Sequence, residues 1–445
     1  MKIVLATFGS LGDVHPLNAL GIELRRRGHA VIFAAMEAYR EKIEMLGFEF
    51  RPMRPHFNAD DRELARRVMN EKKGSEVLLK EIILPNLRPM YEDLCAAVTD
   101  ADLLISSEVV FVAASVVEKL KIKWITTTLA PGPLLSVYDP FVPPTAQWLK
   151  HFRFLGSRFH GALFGFVRRA IDSWFAPYRE FRREIGLDEN HNPLFEGKSD
   201  LLNLALFSKV LGKPQPDWHR PTLQCGFCFY DGQDDLGAMP AGLNEFLAAG
   251  DAPIVFTLGS AAVLDARDFF EESARAARIL NRRAVLLYGM ENQPPSIVQN
   301  AKCKMQNLVI QDQNPKSKIQ NLKSDDGKIA AFPYAPYSKI FPRAAVVAHQ
   351  GGVGTTAQVL RAGVPHLIMP YSHDQPDNAA RVERLGAARI ISRADYTAEN
   401  AARHLRKLLS DAKYKSKAAA ARAIVESEHG TQTACDAIEE ISGAK

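Results

Sequence analysis

The chain has 445 residues, 47% of them apolar and 24% charged, with a formal net charge of +5. At about 150 residues per domain this asks for two or three compact units with sizeable cores, and it excludes a disordered or fibrous chain. The charge falls far short of the basic excess of a dedicated nucleic-acid binder. The five cysteines (Cys95, Cys225, Cys228, Cys303 and Cys435) are too sparse for a disulfide framework and point to a reducing compartment. The start MKIVLATFGSLGD holds six apolar residues before Gly9, short of a signal-peptide core. No uncharged apolar run approaches the roughly 18 residues of a membrane span. A cytoplasmic protein is the expectation.

In chain order, Ile3 to Phe8 reads as a buried strand, Gly9 to Asp13 as a turn, Pro16 to Arg27 as an amphipathic helix closed by Gly28, and Ala30 to Ala35 as the next strand. This is parallel-sheet order. It continues with strands over Asp102 to Ser106 and Lys123 to Leu129, the latter running into the irregular APGPLLSVYDPFVPP. A stretch rich in Pro, Gly and Asp over residues 213 to 243 reads as a linker, so two domains are predicted, 1–225 and 226–445. After it, the strand Pro253 to Leu258, the turn Gly259 to Ala262, a helix over Asp268 to Leu280 and the strand Arg283 to Tyr288 repeat the α/β order. Residues 299–328 are polar and of low complexity, with KCKMQNL nearly recurring as KSKIQNL, and read as an exposed insertion. The last helix is free to pack back on the first domain.

Two turns carry most of the chemistry. Thr7-Phe8-Gly9-Ser10-Leu11-Gly12 nearly fits the GxGxxG of dinucleotide binders, with Glu37 ending the second strand where a ribose-binding acid could sit. Asp13, however, would repel a pyrophosphate there. Gly9 and Gly12 either simply permit a tight turn, or Asp13 and His15 face a cleft as acid or base. The second turn is His349-Gln350-Gly351-Gly352-Val353-Gly354-Thr355-Thr356, after a strand and before a helix that ends at Ala362-Gly363. Its glycines bring backbone amides close to a ligand, and the helix start favours a phosphate. The Lys of a P-loop is missing. Beyond the next strand, Val364 to Pro370, lie Asp374 and Gln375, equipment for vicinal sugar hydroxyls or else the cap of a helix beginning near Pro376. Cys225-Gly-Phe-Cys228 lacks a second ligand pair for zinc and reads as two buried cysteines. Asp100-Ala-Asp102 precedes a strand instead of following one, so no catalytic metal is predicted.

Taken together, GSLGDVHPLNALGIELRRRGH and APYSKIFPRAAVVAHQGGVGTTAQVLRAGVPHLIMPYSHDQPDNAARVERLG resemble family 1 nucleotide-sugar glycosyltransferases of the GT-B fold. The likeness is greatest to the bacterial subgroup with rhamnolipid rhamnosyltransferases, antibiotic glycosyltransferases and sterol glucosyltransferases. The resemblance implies an α/β protein with two Rossmann-like domains facing across a cleft, acceptor in the first and donor in the second. It implies Asp13 as catalytic base, with Gly12, His15 and Pro131 in the acceptor region. Ser107 stands where plant members carry a second Asp. Donor contacts are implied for Ser260, Tyr334, Tyr337, His349, Gln350, Gly352, Gly354, Thr355, Gln358, Asp374 and Gln375. Gln350 occupies the position of the usual phosphate-binding His, Tyr334 that of a base-stacking Trp, Tyr337 that of a Gln and Gln358 that of a ribose-binding Glu.

The activity so implied is inverting transfer of a hexose from a UDP- or dTDP-sugar to a lipophilic hydroxyl, with no metal, no cofactor beyond the donor substrate and no nucleic-acid partner. A nucleotide-sugar binder without transfer and a nicotinamide oxidoreductase are the alternatives. Between Leu149 and Ile185 stand eight basic residues (Lys150, Arg153, Arg158, Arg168, Arg169, Arg179, Arg182 and Arg183) against three acidic ones, among nine aromatics. This pattern is either a pair of helices with an aromatic core or a peripheral contact with the inner face of a membrane.

Overall fold

The structure is a computed structural model that describes residues 1–57, 61–232, 238–290, 292–296, 322–324 and 326–443. Most of the predicted insertion, residues 299–321, lies outside the described residues, as does Cys303. The chain forms two compact units: Met1–Asp61 with Lys72–Tyr230 and Ser427–Lys445, and Arg62–Glu71 with Asp231–Glu426. The segment 62–71, which the sequence reading leaves in the first domain, is thus counted with the second.

In the first unit seven strands, β1 Lys2–Ala6, β2 Ala30–Ala35, β3 Glu49–Pro52, β4 Leu103–Ser107, β5 Lys123–Thr128, β6 Asn203–Ala205 and β7 Thr222–Gln224, lie in the order β3-β2-β1-β4-β5-β6-β7. All pairings are parallel. Ile3, Val4, Leu5 and Ala6 are wholly buried, as a strand covered on both faces requires. The helix Gly430–Ser442 packs on this unit: Arg27 reaches Asp436 and Glu439 at 2.6 and 2.7 Å, and His29 reaches Glu439 at 3.0 Å.

The second unit carries β8 Ile254–Thr257, β9 Ala284–Leu287, β10 Leu322–Lys323, β11 Ile329–Phe332, β12 Val346–His349, β13 His366–Ile368 and β14 Ala388–Ile390. Their order is β10-β11-β9-β8-β12-β13-β14, parallel except for the antiparallel edge strand β10. In each unit the strand order reverses beside the first strand, between β1 and β4 and between β8 and β12. At such a switch point the two connections leave on opposite faces and open a crevice at the carboxyl ends of the strands.

The basic, aromatic stretch divides between core and surface. Within the helix Ala176–Glu184 and the residue before it, Phe175, Tyr178 and Phe181 are buried. Arg182 is buried with them, paired to Glu118 at 2.6 Å and to Ser115 Oγ at 3.2 Å. Arg182 therefore leaves the set of residues expected at a membrane, because a charge held in a core by such partners has no access to a surface. The helix Gly156–Asp172 behaves in the opposite way, with Phe159 and Phe166 exposed. Among the described residues no helix is long and apolar enough to cross a membrane.

Candidate active site at two switch points

The loop after β1 is shorter than its sequence suggests. The helix begins at Leu11 instead of Pro16, so Asp13 sits in its first turn. The cause is a capping box: Ser10 Oγ accepts from Gly12 N at 3.2 Å, while Asp13 Oδ2 accepts from Ser10 N at 2.7 Å and from Ser10 Oγ at 3.1 Å. The Ser-x-x-Asp spacing is the signal that could have placed this helix start. Gly9, with φ +126°, is needed because a Cβ there would lie 2.5 Å from Asp13 Oδ2. Burial lifts the Asp13 carboxyl from its ordinary 3.8 to about 6, against the lowering effect of the Ser10 bonds. The carboxyl is thus largely ionised at neutral pH yet basic enough to take a proton.

Around this carboxyl, Tyr39 Oη donates to Gly9 O at 2.8 Å and Thr7 Oγ1 donates to Ser107 Oγ at 3.2 Å. Tyr39 is a neighbour that sequence reasoning missed, brought in only by the packing after β2. The His15 ring lies 5.2 Å from that of Tyr230. Pro131 is buried and opens the short helical turn Gly132–Leu134 beyond β5.

At the second switch point, β8 leads into Gly259-Ser260 and β12 into the glycine loop. Ser260 is exposed, and Gly352 is the N-cap of the helix Val353–Ala362. The Thr356 N–H reaches Gly352 O at 2.9 Å, so the N–H groups of Val353, Gly354 and Thr355 open the helix without an intrahelical acceptor. Gln350, only 4% exposed, lies between the two turns. A Cβ on Gly259 would fall 2.3 Å, and one on Gly352 2.8 Å, from its Nε2. Its Oε1 is buried without a hydrogen-bond partner. The unsatisfied atom is an acceptor, while the donor end of the same amide, Nε2, is the atom beside Gly259 and Gly352.

His349, expected among the donor contacts, is turned into the sheet. Its Nδ1 accepts from Gly351 N at 3.0 Å and its Nε2 lies 3.0 Å from His366 Nδ1. With both ring nitrogens engaged, it has no atom to offer a ligand. Burial lowers its pKa to about 3 and holds His366 well below the ordinary range, so the pair is neutral. The Tyr337 hydroxyl and Thr257 Oγ1 share a hydrogen bond of 2.8 Å at the end of β8, and the Tyr337 ring stacks on Phe341 at 4.4 Å. Tyr334 lies beside it with ring centroids 6.3 Å apart. Gln358 Nε2 donates to Asp231 Oδ1 at 3.1 Å, and Arg361 holds the same carboxylate at 2.8 Å. Asp231, hidden in a linker-like stretch of sequence, thus places a carboxylate beside Gln358.

After β13, Asp374 is the N-cap residue of the helix Gln375–Leu385 but makes no side-chain cap bond. Its Oδ2 instead accepts from Asn378 Nδ2 at 2.6 Å, and Asn378 Nδ2 also reaches Gly351 O at 3.0 Å. Asn378 thereby ties the acidic loop to the glycine loop, a role that its position inside a helix concealed. Gln375 is 6% exposed; its Oε1 accepts from Tyr371 N at 2.9 Å and its Nε2 faces Met69 Sδ at 3.9 Å. Its carbonyl is therefore committed to the protein, and of the expected pair Asp374 is the more accessible member.

Comparison with known proteins adds the family. Residues 3–138 match the Glycosyltransferase family 28 N-terminal domain, and residues 271–440 match the Erythromycin biosynthesis protein CIII-like C-terminal domain. The chain is 31% identical to O-mycaminosyltylonolide 6-deoxyallosyltransferase of Streptomyces fradiae over 99% of its own length and 97% of that protein's. It is 26% identical over 98% of its length to a sterol 3-beta-glucosyltransferase of Debaryomyces hansenii, of which it spans only 26%. The crystal structure of the glycosyltransferase VinC in complex with dTDP superposes with a TM-score of 0.65 at 18% identity, covering the whole of both chains. With two α/β units of this topology and these relatives, the chain belongs to the family 1 glycosyltransferases of GT-B fold, of the antibiotic and sterol type.

Proposed function

We propose that this glycosyltransferase moves a hexose from a dTDP- or UDP-sugar to the hydroxyl of a lipophilic acceptor (a lipid, a sterol-like alcohol or a secondary metabolite) with inversion at the anomeric carbon. Asp13 Oδ1, the oxygen outside the capping box, takes the acceptor proton as the acceptor oxygen attacks the anomeric carbon. The bond from that carbon to the diphosphate oxygen breaks, and the nucleoside diphosphate leaves. The charge growing on the leaving group is met by the N–H groups of Gly354 and Thr355, by Ser260 and by the Gln350 amide, which is electrostatic stabilisation without a metal. Tyr334 stacks on the base, and Asp374 accepts from the sugar hydroxyls. The enzyme works in the cytoplasm, at the inner face of the membrane.

The observation that carries this reading is the start of the helix Val353–Ala362 at the second switch point, where the N–H groups of Gly354 and Thr355 have no intrahelical acceptor and Gln350 Nε2 stands beside Gly259 and Gly352. Sterol and antibiotic transferases among the relatives support the lipophilic acceptor, and the dTDP held by VinC supports the donor class. Thermal melting with dTDP-sugars, UDP-sugars and NAD tests it. A ligand at about one hundred times its Kd adds about 2.7 kcal/mol to apparent stability. We expect a sugar nucleotide to raise Tm and NAD to leave it unchanged; the reverse would assign the protein to nicotinamide chemistry.

A further inference from the structure

The helix Gly156–Asp172 points its apolar stripe the wrong way for a core. Leu155, Phe159, Ala162, Phe166 and Ala170 follow the spacing that normally marks a buried face, yet all five are exposed, Phe159 by 42% and Phe166 by 69%. The opposite side makes the internal contacts. His160 is buried with Nε2 3.2 Å from Phe152 O, and the Phe164 ring meets that of Phe195 at 5.5 Å. Ahead of the helix, Trp148, Phe152 and Phe154 form an exposed aromatic row with ring centroids 5.4 and 6.2 Å apart. Arg158 and Arg169, both exposed, flank the stripe along one edge. Arg168 is on another face, held by Glu196 at 2.6 Å.

We propose that this face docks on an anionic lipid surface, the helix lying in the plane of the headgroups with Phe154, Phe159 and Phe166 inserted. Aromatic side chains with arginines beside them suit that boundary, where rings enter the acyl region and guanidinium groups meet lipid phosphates. A second copy of the chain fits less well. Antiparallel self-pairing about the middle of the stripe would bring Arg158 of one copy towards Arg169 of the other, like charge on like charge. The proposal takes its purpose from the lipophilic acceptor proposed above, since a lipid alcohol is reached at such a surface, but its test does not depend on that reading.

The test is co-sedimentation of the full chain with vesicles of pure phosphatidylcholine and of an equimolar mixture with phosphatidylglycerol, at low and high salt. We expect binding to the anionic vesicles that weakens with salt. The double variant Arg158→Gln/Arg169→Gln should bind about 25-fold more weakly, taking about fivefold per arginine. Phe159→Ser/Phe166→Ser should lose binding at either salt concentration. Because the four side chains are exposed, an unchanged melting temperature checks that the variants fold. Wild type left in the supernatant at low salt, or both variants sedimenting like wild type, would overturn the proposal. So would a wild-type dimer that the Phe variant converts to a monomer, which would give the face to a protein partner. Tm protection by sugar nucleotides, measured on the same samples, keeps a failure here separate from a failure of the donor reading.

Discussion

Replacing Asp13 by Asn changes one proton acceptor and almost nothing else in the geometry. The carboxamide oxygen of the variant can accept from Ser10 N and Ser10 Oγ as Asp13 Oδ2 does, so the capping box and the first turn of the helix should survive. What disappears is the base, and removal of a positioned general base costs about 10²- to 10⁴-fold in rate. The same substitution has a consequence for stability whose sign is fixed by the carboxyl's raised pKa. A group at about 6 in the folded chain against 3.8 ordinarily favours folding in its neutral form, and that contribution is lost as pH rises through 6. At pH 8 the ionised carboxyl costs about 3 kcal/mol by the difference in pKa, reduced to about 2 kcal/mol by the water its half-buried side chain retains. Asp13→Asn should therefore melt about 5 °C above wild type at pH 8 and show little gain at pH 4. Transfer by wild type should fall below pH 6 as the base is protonated, while the variant stays at its low rate across the range. Steady-state kinetics from pH 5 to 9 and scanning calorimetry at both ends measure this. A variant within tenfold of wild-type activity, or one no more stable at pH 8 than at pH 4 relative to wild type, would refute the role given to this carboxyl.

Three other outcomes are expected. Asp374→Ala should weaken binding of a sugar nucleotide by tenfold or more, on the order of one lost charge-assisted hydrogen bond, and leave the bare nucleoside diphosphate nearly unaffected; titration calorimetry with both ligands would contradict it by showing equal losses. Chelation with EDTA should leave the rate unchanged if, as proposed, the helix-start amides do the work of a cation; loss of activity restored by magnesium or manganese would disprove that. Arg182→Met should destabilise the protein by about 2 kcal/mol, since it removes three bonds, to Ser115 Oγ, Glu118 and the Asp188 carbonyl, from a side chain that is itself buried, whereas Arg169→Gln should cost almost nothing; denaturant titration of the two variants decides between core and surface for these arginines.

Much of the fold was legible because parallel strands covered on both faces must be short continuous apolar runs. The second strand is found where the sequence puts it, Ala30–Ala35, and the other predicted strands shift by a residue or two at their ends. The glycine loop, its helix and the closing Ala362-Gly363 were equally readable, since Gly363 adopts the left-handed conformation that ends helices. The first helix starts five residues ahead of Pro16, the residue whose type suggests a beginning, because the side-chain bonds of Ser10 and Asp13 set the start earlier.

The sequence by itself determined which residues stand at the carboxyl ends of which strands, because strand, turn and helix follow from local pattern and chain order. Only the tertiary structure decided which way those residues face and what they bond. Two adjacent residues show the difference. His349 is spent on Gly351 and His366, and Gln350 beside it keeps an unsatisfied amide between two glycine turns. The same holds for the aromatic stretch, in which Phe181 and Arg182 joined a core while Phe159 and Phe166 turned outward on a stripe of ordinary core spacing. Helical periodicity fixes that a stripe exists, but the side it faces depends on contacts made by residues far away in the chain, such as Glu118 for Arg182 and Phe195 for Phe164. Those contacts are carried by no local pattern, so the direction of a side chain is the part of the site that folding alone supplies.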